Sequence, residues 1–272
     1  MAKNTAVIGY PIAHSKSPII HNYWMDQHHI DASYGIVEIA PENFARDVKK
    51  LLADENIVGF NVTAPYKQDI IAFCDEIDTS AQHIHAVNTV IKSPEGKIIG
   101  ANTDAYGFWQ NILARYPDFS VRGETVCVLG AGGAARAVVY ALRSEGAGKI
   151  IIFNRSFENA QKLAAEFGAE AAPWGERQEG LADCKLLVNA TSLGMLGKPN
   201  LDMDLSSLPA DALVNDIVYA PLQTELLQNA ANRGNKTVQG IGMLLYQAQR
   251  AFEFWYDVLP DVDATLTKRV LK

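Results

Sequence analysis

The chain has 272 residues, and its 24 basic against 31 acidic side chains give a formal net charge of −7. That length suffices for one large or two medium domains, and 48% hydrophobic with 20% charged residues is ordinary for a soluble globular protein. The negative charge argues against nucleic acid or an anionic membrane surface as the main partner. No stretch is long and apolar enough to span a bilayer.

The cysteines and histidines do not predict a metal site. Cys74, Cys127 and Cys184 are widely spaced in apolar surroundings, which favours neither a disulfide framework nor zinc binding. All six histidines lie at or before His85, and they lack a helical i, i+4 pair with a carboxylate partner. Reduced cysteines and an N-terminus without a signal-peptide pattern predict a cytoplasmic protein.

Strand-like and helical patterns alternate through the first part of the chain. Strands are predicted at Thr5–Gly9, Ser33–Ile39, Ile57–Val62, Val87–Lys92 and Ile98–Ala101. Helices are predicted at Ile19–His28 and Glu42–Ala53. This alternation is typical of an α/β domain.

The strand and helix pattern begins again near Glu124. Further strands are predicted at Val126–Leu129, Lys149–Asn154, Leu186–Ala190 and Leu213–Val218, with helices between them. Repeated βα alternation predicts a parallel, doubly wound sheet of the Rossmann type. We therefore expect two α/β lobes, residues 1–104 and 105–239, with the C-terminal helices of residues 240–272 packing back on the first lobe.

A glycine-rich segment follows the strand Val126–Leu129 and opens a helix, which is the context of a dinucleotide-binding loop. Gly130 would permit the tight turn, and Gly132 would let the backbone approach a pyrophosphate. The amides at the start of the helix would face the phosphates. The residues expected to hold the cofactor here are Gly130, Ala131, Gly132, Gly133 and Ala134.

The end of the next strand indicates which nicotinamide cofactor binds. NAD-binding enzymes place an acid there on the ribose 2′-hydroxyl. This chain has Asn154, Arg155 and Ser156 instead, a cation with polar donors suited to a 2′-phosphate. The sequence therefore predicts NADP.

Two segments supply groups for proton transfer. Pro65 stands where a helix would begin, so Lys67 is expected in its first turn, where the helix dipole should lower the pKa of the ammonium. That suits a residue that gives up and regains a proton. Asn61 and Thr63 should project to the same side of the preceding strand. Asp104 precedes another helix and is either the partner of the lysine or only a helix cap.

Further polar groups follow the first strand and a strand of the second sheet. An extended backbone would aim Ser15 and Ser17 the same way, as a site for a carboxylate, although Ser17 before Pro18 could instead be an N-cap. The segment Asn189–Gly194 should lie at the carboxyl-end crevice of the sheet, where ligands bind in open α/β sheets.

In their order, these motifs resemble the shikimate dehydrogenase family from the first strand to the final helices. The matching segments are Ser15–Ser17, Asn61–Thr63, Pro65–Lys67, Asn88–Thr89, Asn102–Asp104, Gly130–Ala135, Asn154–Arg155, Asn189–Ser192, Asp216–Tyr219 with Pro221, and Gly240–Gln247. The resemblance implies an NADP-dependent oxidoreductase that reversibly reduces 3-dehydroshikimate to shikimate.

The resemblance also implies roles for single residues. Lys67 and Asp104 would be the catalytic pair, and Ser15 and Ser17 would bind the ring carboxylate with Tyr219 nearby. Contacts to the ring hydroxyls would come from Asn61, Thr63, Asn88 and Gln247. Thr191 and Gly240 would join the glycine-rich loop in holding NADP. The first lobe would bind the substrate and the second the cofactor.

Two positions depart from the family pattern. Asn159 stands where many members carry a second basic residue for the adenosine phosphate, and Gln239 stands where an aspartate is common. Two alternatives stay open: a dual quinate/shikimate dehydrogenase, and a catalytically silent NADP-binding regulator of the same fold.

Overall fold

The structure is a computed structural model that describes residues 3–272. The chain divides into two compact units. The first comprises the described residues up to Thr103 together with Leu245–Lys272, and the second comprises Asp104–Leu244. Among residues 3–272, no helix is both long and apolar enough to cross a membrane.

The first unit contains a mixed sheet with helices on it. Its elements are β1 (Asn4–Gly9), α1 (Ser17–Gln27), β2 (Tyr34–Glu38), α2 (Phe44–Ala53), β3 (Ile57–Val62), β4 (Glu76–Ile77), α3 (Thr79–Ile84), β5 (Thr89–Lys92) and β6 (Ile98–Ala101). The strand order is β2-β1-β3-β5-β6-β4. Strands β1, β2 and β3 are parallel, whereas β5 runs antiparallel to both β3 and β6.

This topology decides which polar residues share an edge of the first sheet. Because β5 is antiparallel to β3, the start of β5 lies beside the end of β3, and Asn61 pairs with Thr89. The end of β6 lies at the same edge, with Ala101 opposite Thr89. The motifs that follow β1, β3 and β6 and the one that precedes β5 therefore meet at one sheet edge.

The second unit contains a fully parallel sheet. Its elements are α4 (Asp104–Arg115), β7 (Thr125–Leu129), α5 (Gly133–Ser144), β8 (Lys149–Asn154), α6 (Phe157–Phe167), β9 (Glu170–Pro173), β10 (Cys184–Asn189), β11 (Leu213–Asp216), α7 (Glu225–Asn232) and β12 (Lys236–Val238). Helix α8 (Ile241–Tyr256) includes the boundary at Leu244, and α9 (Ala264–Val270) follows in the first unit.

The strand order β12-β11-β10-β7-β8-β9 is that of a doubly wound Rossmann sheet. The chain moves outward from β7 to β9, returns to β10 beside β7, and then moves outward in the other direction. Central residues such as Val126, Val128, Leu186 and Val188 are fully buried, as expected for strands covered on both faces. The α/β fold class predicted from the sequence is confirmed.

Aromatic side chains from α1, β2 and α8 form a buried cluster in the first unit. The His21 ring stacks on Tyr34 with centroids 4.2 Å apart, and it meets Trp24 edge-on at 5.7 Å. Trp255 and Phe252 of α8 complete the cluster. Burial lowers the pKa of His21 from 6.5 to about 3, an effect that the nearby Asn61 side chain only partly opposes.

We expect His21 to weaken the fold in acid. Below pH 6.5 the unfolded chain binds a proton on this imidazole, whereas the folded chain, with its pKa of about 3, does not. The free energy of unfolding should therefore fall as the pH drops, by up to about 1.4 kcal/mol per pH unit from this group. His21→Phe keeps an aromatic ring and should lose that part of the pH dependence.

The measurement is urea unfolding of both proteins between about pH 4 and pH 8. The values near pH 8, where His21 is neutral in both states, give the packing effect of the substitution alone. If the free energy of unfolding depended on pH identically in both proteins, His21 would not be the source of the expected acid sensitivity.

Candidate functional site

Lys67 lies in a turn, and the prediction that a helix begins at Pro65 was wrong. Residues 64–68 form turns ahead of a short 3₁₀ helix, Asp69–Phe73. The carbonyl of Lys67 accepts a hydrogen bond from Val87 N at 2.7 Å, so it does not join a regular helical ladder. The argument from the helix dipole therefore does not apply to Lys67.

Tyr66 anchors the turn that carries the half-buried Lys67. The Tyr66 ring is 2% exposed and stacks on Phe44 at 4.2 Å, and its hydroxyl donates to the Ile39 carbonyl. Its backbone N–H donates to Thr63 O at 3.0 Å. The lysine is therefore held by long-range contacts of its neighbour rather than by a helix.

Ser15 and Ser17 are adjacent in space, but for a different reason from the one predicted. The backbone between them is not extended, because Lys16 has helical angles and is the N-cap of α1. Ser17 is the first residue of that helix, and its backbone N–H donates to Ser15 Oγ at 3.3 Å. A local turn, rather than strand alternation, brings the two serines together.

Asn61 is at the end of β3 and is 6% exposed. It accepts a hydrogen bond from the Tyr34 hydroxyl at 2.7 Å, and its amide nitrogen donates to Asn88 O and to Thr89 Oγ1, each at 3.1 Å. Thr63 follows the strand, is half-buried, and donates its backbone N–H to Ile8 O at 3.0 Å. Both residues lie at the sheet edge identified above.

Asn88 connects the neighbouring strands at that edge. Its Oδ1 accepts from Thr103 N at 2.9 Å and from Thr89 Oγ1 at 3.0 Å. Its Nδ2 donates to Thr103 Oγ1 at 3.0 Å and to Gln247 Oε1 of α8 at 3.5 Å. Four of the predicted substrate-binding side chains, Asn61, Thr63, Asn88 and Gln247, thus belong to one edge of the first unit.

Asp104 begins α4 and is therefore within the first turn of that helix. Its neighbour Asn102 donates to Ala86 O at 2.9 Å, and its neighbour Thr103 is held by Asn88. Asp104 and the start of α4 therefore follow a segment that hydrogen bonds hold in place.

The glycine-rich loop of the second unit has the geometry of a phosphate cradle. Gly130 has φ +110°, and a Cβ there would lie 2.9 Å from Ala190 O. Both observations require glycine. Added Cβ atoms at Gly132 and Gly133 would meet no protein atom within 4 Å, so packing does not require glycine at these positions. Close approach of a ligand to the first turn of α5 would require glycine there. The loop therefore fits a dinucleotide pyrophosphate. Ala131 and Ala134 are half-buried beside it.

The end of β8 presents an exposed cation. Arg155 and Ser156 are exposed, and Asn154 is half-buried with its Nδ2 donating to Ser156 O at 2.9 Å. Ser156 is the N-cap of α6, but its side chain makes no capping hydrogen bond. Asn159 is exposed in the first turn of α6. The cation, the hydroxyl and the helix start together can bind a phosphate group.

Asn189 and Asp216 hold the loops that follow β10 and β11. Asn189 Oδ1 accepts from Thr191 Oγ1 at 2.7 Å and from Thr191 N at 3.1 Å, while its Nδ2 donates to Asp216 Oδ1 at 2.9 Å. Asp216 also accepts from Thr224 Oγ1 at 2.7 Å and from Val218 N at 3.0 Å. Burial raises the pKa of Asp216 to about 6, although these hydrogen bonds favour the carboxylate.

The loop after β11 carries Tyr219, which is 39% exposed. Ile217 N donates to Asn189 O at 3.1 Å, so this loop is bonded to the end of β10. Gly240 lies against it, because a Cβ at Gly240 would be 2.3 Å from Ile217 O. Gln239, the departure from the family pattern, donates to Gln223 Oε1 at 3.1 Å, and its carbonyl accepts from Asn111 at 2.8 Å.

Sequence reasoning missed Tyr34 and His21, and it named Asp216 in a matching segment without giving it a supporting role. Tyr34 and His21 lie behind Asn61, and Asp216 lies behind the loops of Thr191 and Tyr219. A sequence signal existed for His21, which is four residues after Ser17 and so on the same face of α1. The hydrogen bonds of Tyr34 and Asp216 join strands that are far apart in the sequence, so no local pattern indicates them.

Two family models match the chain, one in each unit. Residues 7–90 match the shikimate dehydrogenase substrate-binding domain, and residues 113–196 match shikimate/quinate 5-dehydrogenase.

Relatives and solved structures agree with the family models. A shikimate dehydrogenase (NADP(+)) of Paramagnetospirillum magneticum is 44% identical over 272 residues, covering 99% of this chain and 98% of that protein. The Thermus thermophilus shikimate 5-dehydrogenase, solved with NADP(H) and shikimate, has a TM-score of 0.87 at 34% identity, covering 98% of each chain.

A quinate dehydrogenase of Corynebacterium glutamicum, solved with NAD, has a TM-score of 0.89 at 29% identity and covers 99% of both chains. The named relatives bear out the sequence-based predictions of an NADP-linked oxidoreductase and of the family. The chain belongs to the shikimate dehydrogenase family.

Proposed function

We propose that this chain catalyses the reversible reduction of 3-dehydroshikimate to shikimate with NADPH. The observation that carries the proposal is the edge of the first sheet, where neutral amides and hydroxyls of Asn61, Asn88 and Thr103 are held in fixed orientations beside Gln247. Such a site suits a ligand with several hydroxyls, because an analogue lacking one of them leaves a buried polar group unpaired.

The second unit supplies the cofactor site in this proposal. Gly130 to Ala134 would receive the pyrophosphate, Thr191 and Gly240 would lie beside the cofactor, and Asn154, Arg155 and Ser156 would hold the 2′-phosphate. The open surroundings of Gly132 and Gly133 and the exposure of Arg155 support this assignment. NADPH, when bound, supplies the hydride for the ring carbonyl carbon.

The first unit supplies the substrate contacts. Ser15 and Ser17, which a local turn brings together, would bind the ring carboxylate. Asn61, Thr63, Asn88 and Gln247 would contact the ring hydroxyls. This assignment makes the chain up to residue 104, with the C-terminal helices, the substrate-binding domain.

Lys67 and Asp104 form the proton-transfer pair of the proposal. Negative charge develops on the carbonyl oxygen as hydride arrives at its carbon. Lys67 as an ammonium stabilises that oxygen and donates the proton to it, and Asp104 orients the lysine. The anchored turn at Tyr66 supports this role, since a catalytic group must be held in position.

Three free cysteines, Cys74, Cys127 and Cys184, support a cytoplasmic location.

The direct test is an NADP-linked oxidation assay with shikimate and quinate side by side. We expect turnover of shikimate, with a much lower rate for quinate at equal concentration. Comparable turnover of both acids would favour the dual dehydrogenase. Tight binding of NADP and shikimate without turnover of either acid would favour the silent regulator and would overturn the proposal.

Arg155→Ala should raise the KM for NADP by about tenfold or more, since it removes a charge-assisted contact to the 2′-phosphate. The KM for NAD should change little, because NAD lacks that phosphate. Lys162→Ala is the matched control. It removes a positive charge from the following helix, α6, where the Lys162 ammonium lies 2.7 Å from the Glu158 carboxylate. An Arg155→Ala protein with an unchanged preference for NADP would refute the role of Arg155.

Lys67→Ala should lower kcat by roughly 100-fold or more, the usual scale for loss of a general acid, with a smaller change in the KM for shikimate. Lys49→Ala, an exposed lysine of α2, is the control for charge alone. Steady-state kinetics at saturating shikimate and NADP measure the effect. A near-normal kcat for Lys67→Ala would mean that Lys67 only binds the substrate.

A further inference from the structure

A chain of buried hydrogen bonds in the first unit runs in one direction from Tyr34 to Thr103. The Tyr34 hydroxyl donates to Asn61 Oδ1 at 2.7 Å, and Asn61 Nδ2 donates to Thr89 Oγ1 at 3.1 Å. Thr89 Oγ1 donates to Asn88 Oδ1 at 3.0 Å, and Asn88 Nδ2 donates to Thr103 Oγ1 at 3.0 Å. All five side chains are buried, so each bond strengthens its neighbours in a medium of low dielectric constant.

This direction limits what Asn61 can offer to a ligand. Both hydrogens of its amide are used, one by Thr89 Oγ1 and one by the Asn88 carbonyl at 3.1 Å. Its Oδ1 accepts one hydrogen bond, from Tyr34, and a carbonyl oxygen can accept two. A rotated amide would set Oδ1 against the Asn88 carbonyl, which is repulsive. Asn61 can therefore bind a hydroxyl only as an acceptor.

Tyr34 begins this row of hydrogen bonds, and its hydroxyl acts as a donor. The residue is 3% exposed, and burial raises the pKa of its phenol well above the ordinary value. The hydroxyl therefore keeps its hydrogen and directs it to Asn61. A hydrogen bond between the side chains of Ser17 and Tyr34 acts in the opposite direction on that pKa, which places the tyrosine next to a serine proposed to bind the carboxylate.

His21 fixes the plane of the Tyr34 ring. The two rings are parallel within 6° at 4.2 Å, and His21 is 0% exposed. Neither ring nitrogen of His21 makes a hydrogen bond of normal geometry in the described part of the chain, although the Asn61 side chain lies close enough to raise the pKa of the imidazole. The imidazole thus supports Tyr34 as a flat ring rather than through a polar contact.

We infer that Tyr34 is a positioning residue for substrate binding, whose hydroxyl, held in place by the His21 ring, keeps Asn61 as an acceptor for one ring hydroxyl. The inference rests on the proposed function, in which Asn61 contacts shikimate. It assigns Tyr34 a role in binding and none in hydride or proton transfer.

Tyr34→Phe tests the inference because it keeps the stacked ring and removes only the hydroxyl. We expect the KM for shikimate to rise about tenfold, the scale of one buried hydrogen bond, while kcat and the KM for NADP stay within about twofold. Tyr23→Phe is the matched control. It removes a phenol hydroxyl from the same unit, where Tyr23 donates to Asp263 Oδ2 at 2.6 Å, and it should leave the KM for shikimate unchanged.

A second readout separates positioning from a general loss of stability. The parent enzyme and Tyr34→Phe are compared on shikimate analogues that each lack one ring hydroxyl but keep the hydroxyl that is oxidised. The parent should discriminate against every analogue. Tyr34→Phe should lose most of its discrimination against one of them, the analogue without the hydroxyl that Asn61 accepts, and keep it against the others.

His21 provides an independent route to the same result if Tyr34→Phe folds poorly. His21→Ala should raise the KM for shikimate as Tyr34→Phe does, and His21→Phe, which restores a stacked ring, should largely rescue it. An unchanged KM and an unchanged analogue pattern in Tyr34→Phe, or an equal KM rise in Tyr23→Phe, would overturn the inference. If the parent protein itself does not oxidise shikimate, it is the proposed function that fails.

Discussion

The need to pair every buried amide and hydroxyl at the edge of the first sheet governs the proposed substrate site. Asn88 meets that need for three strands at once. Its backbone bonds to Val62 and Ala101, and its side chain bonds to Thr89 and Thr103. An unpaired buried polar group costs about 1 to 3 kcal/mol, so few orientations of these side chains are tolerated. Groups held in this way are oriented before a ligand arrives, and binding need not order them.

In the second unit, buried polar groups at the ends of parallel strands must likewise be paired. Asn189 and Asp216 close the ends of β10 and β11 and bond to the loops that carry Thr191 and Tyr219. Glycine then allows close approach where a side chain would collide, at Gly130 against Ala190. Both units therefore place an asparagine at a boundary between a strand and irregular backbone, because an amide can both donate to that backbone and accept from it.

The sequence predicted what depends on local pattern. The strand Ile57–Val62 and the glycine-rich turn before α5 agree with the structure, because apolar runs and glycine-rich turns are properties of short segments. The helix expected at Pro65 was wrong, since the Lys67 carbonyl bonds to Val87, twenty residues away in the chain. Tyr34 as the support of Asn61 could not be predicted either, because that contact exists only once β2 and β3 have both paired with β1.

The contribution of Asp216 to the stability of the second unit has a pH dependence opposite in sign to that of His21 in the first. Its pKa rises from 3.8 to about 6 on folding, so between these values the folded unit holds a proton that the unfolded chain releases. This group therefore favours the folded second unit as the pH falls towards 4, whereas His21 disfavours the folded first unit over the same range. In mild acid the two groups therefore act in opposite directions on the units that contain them.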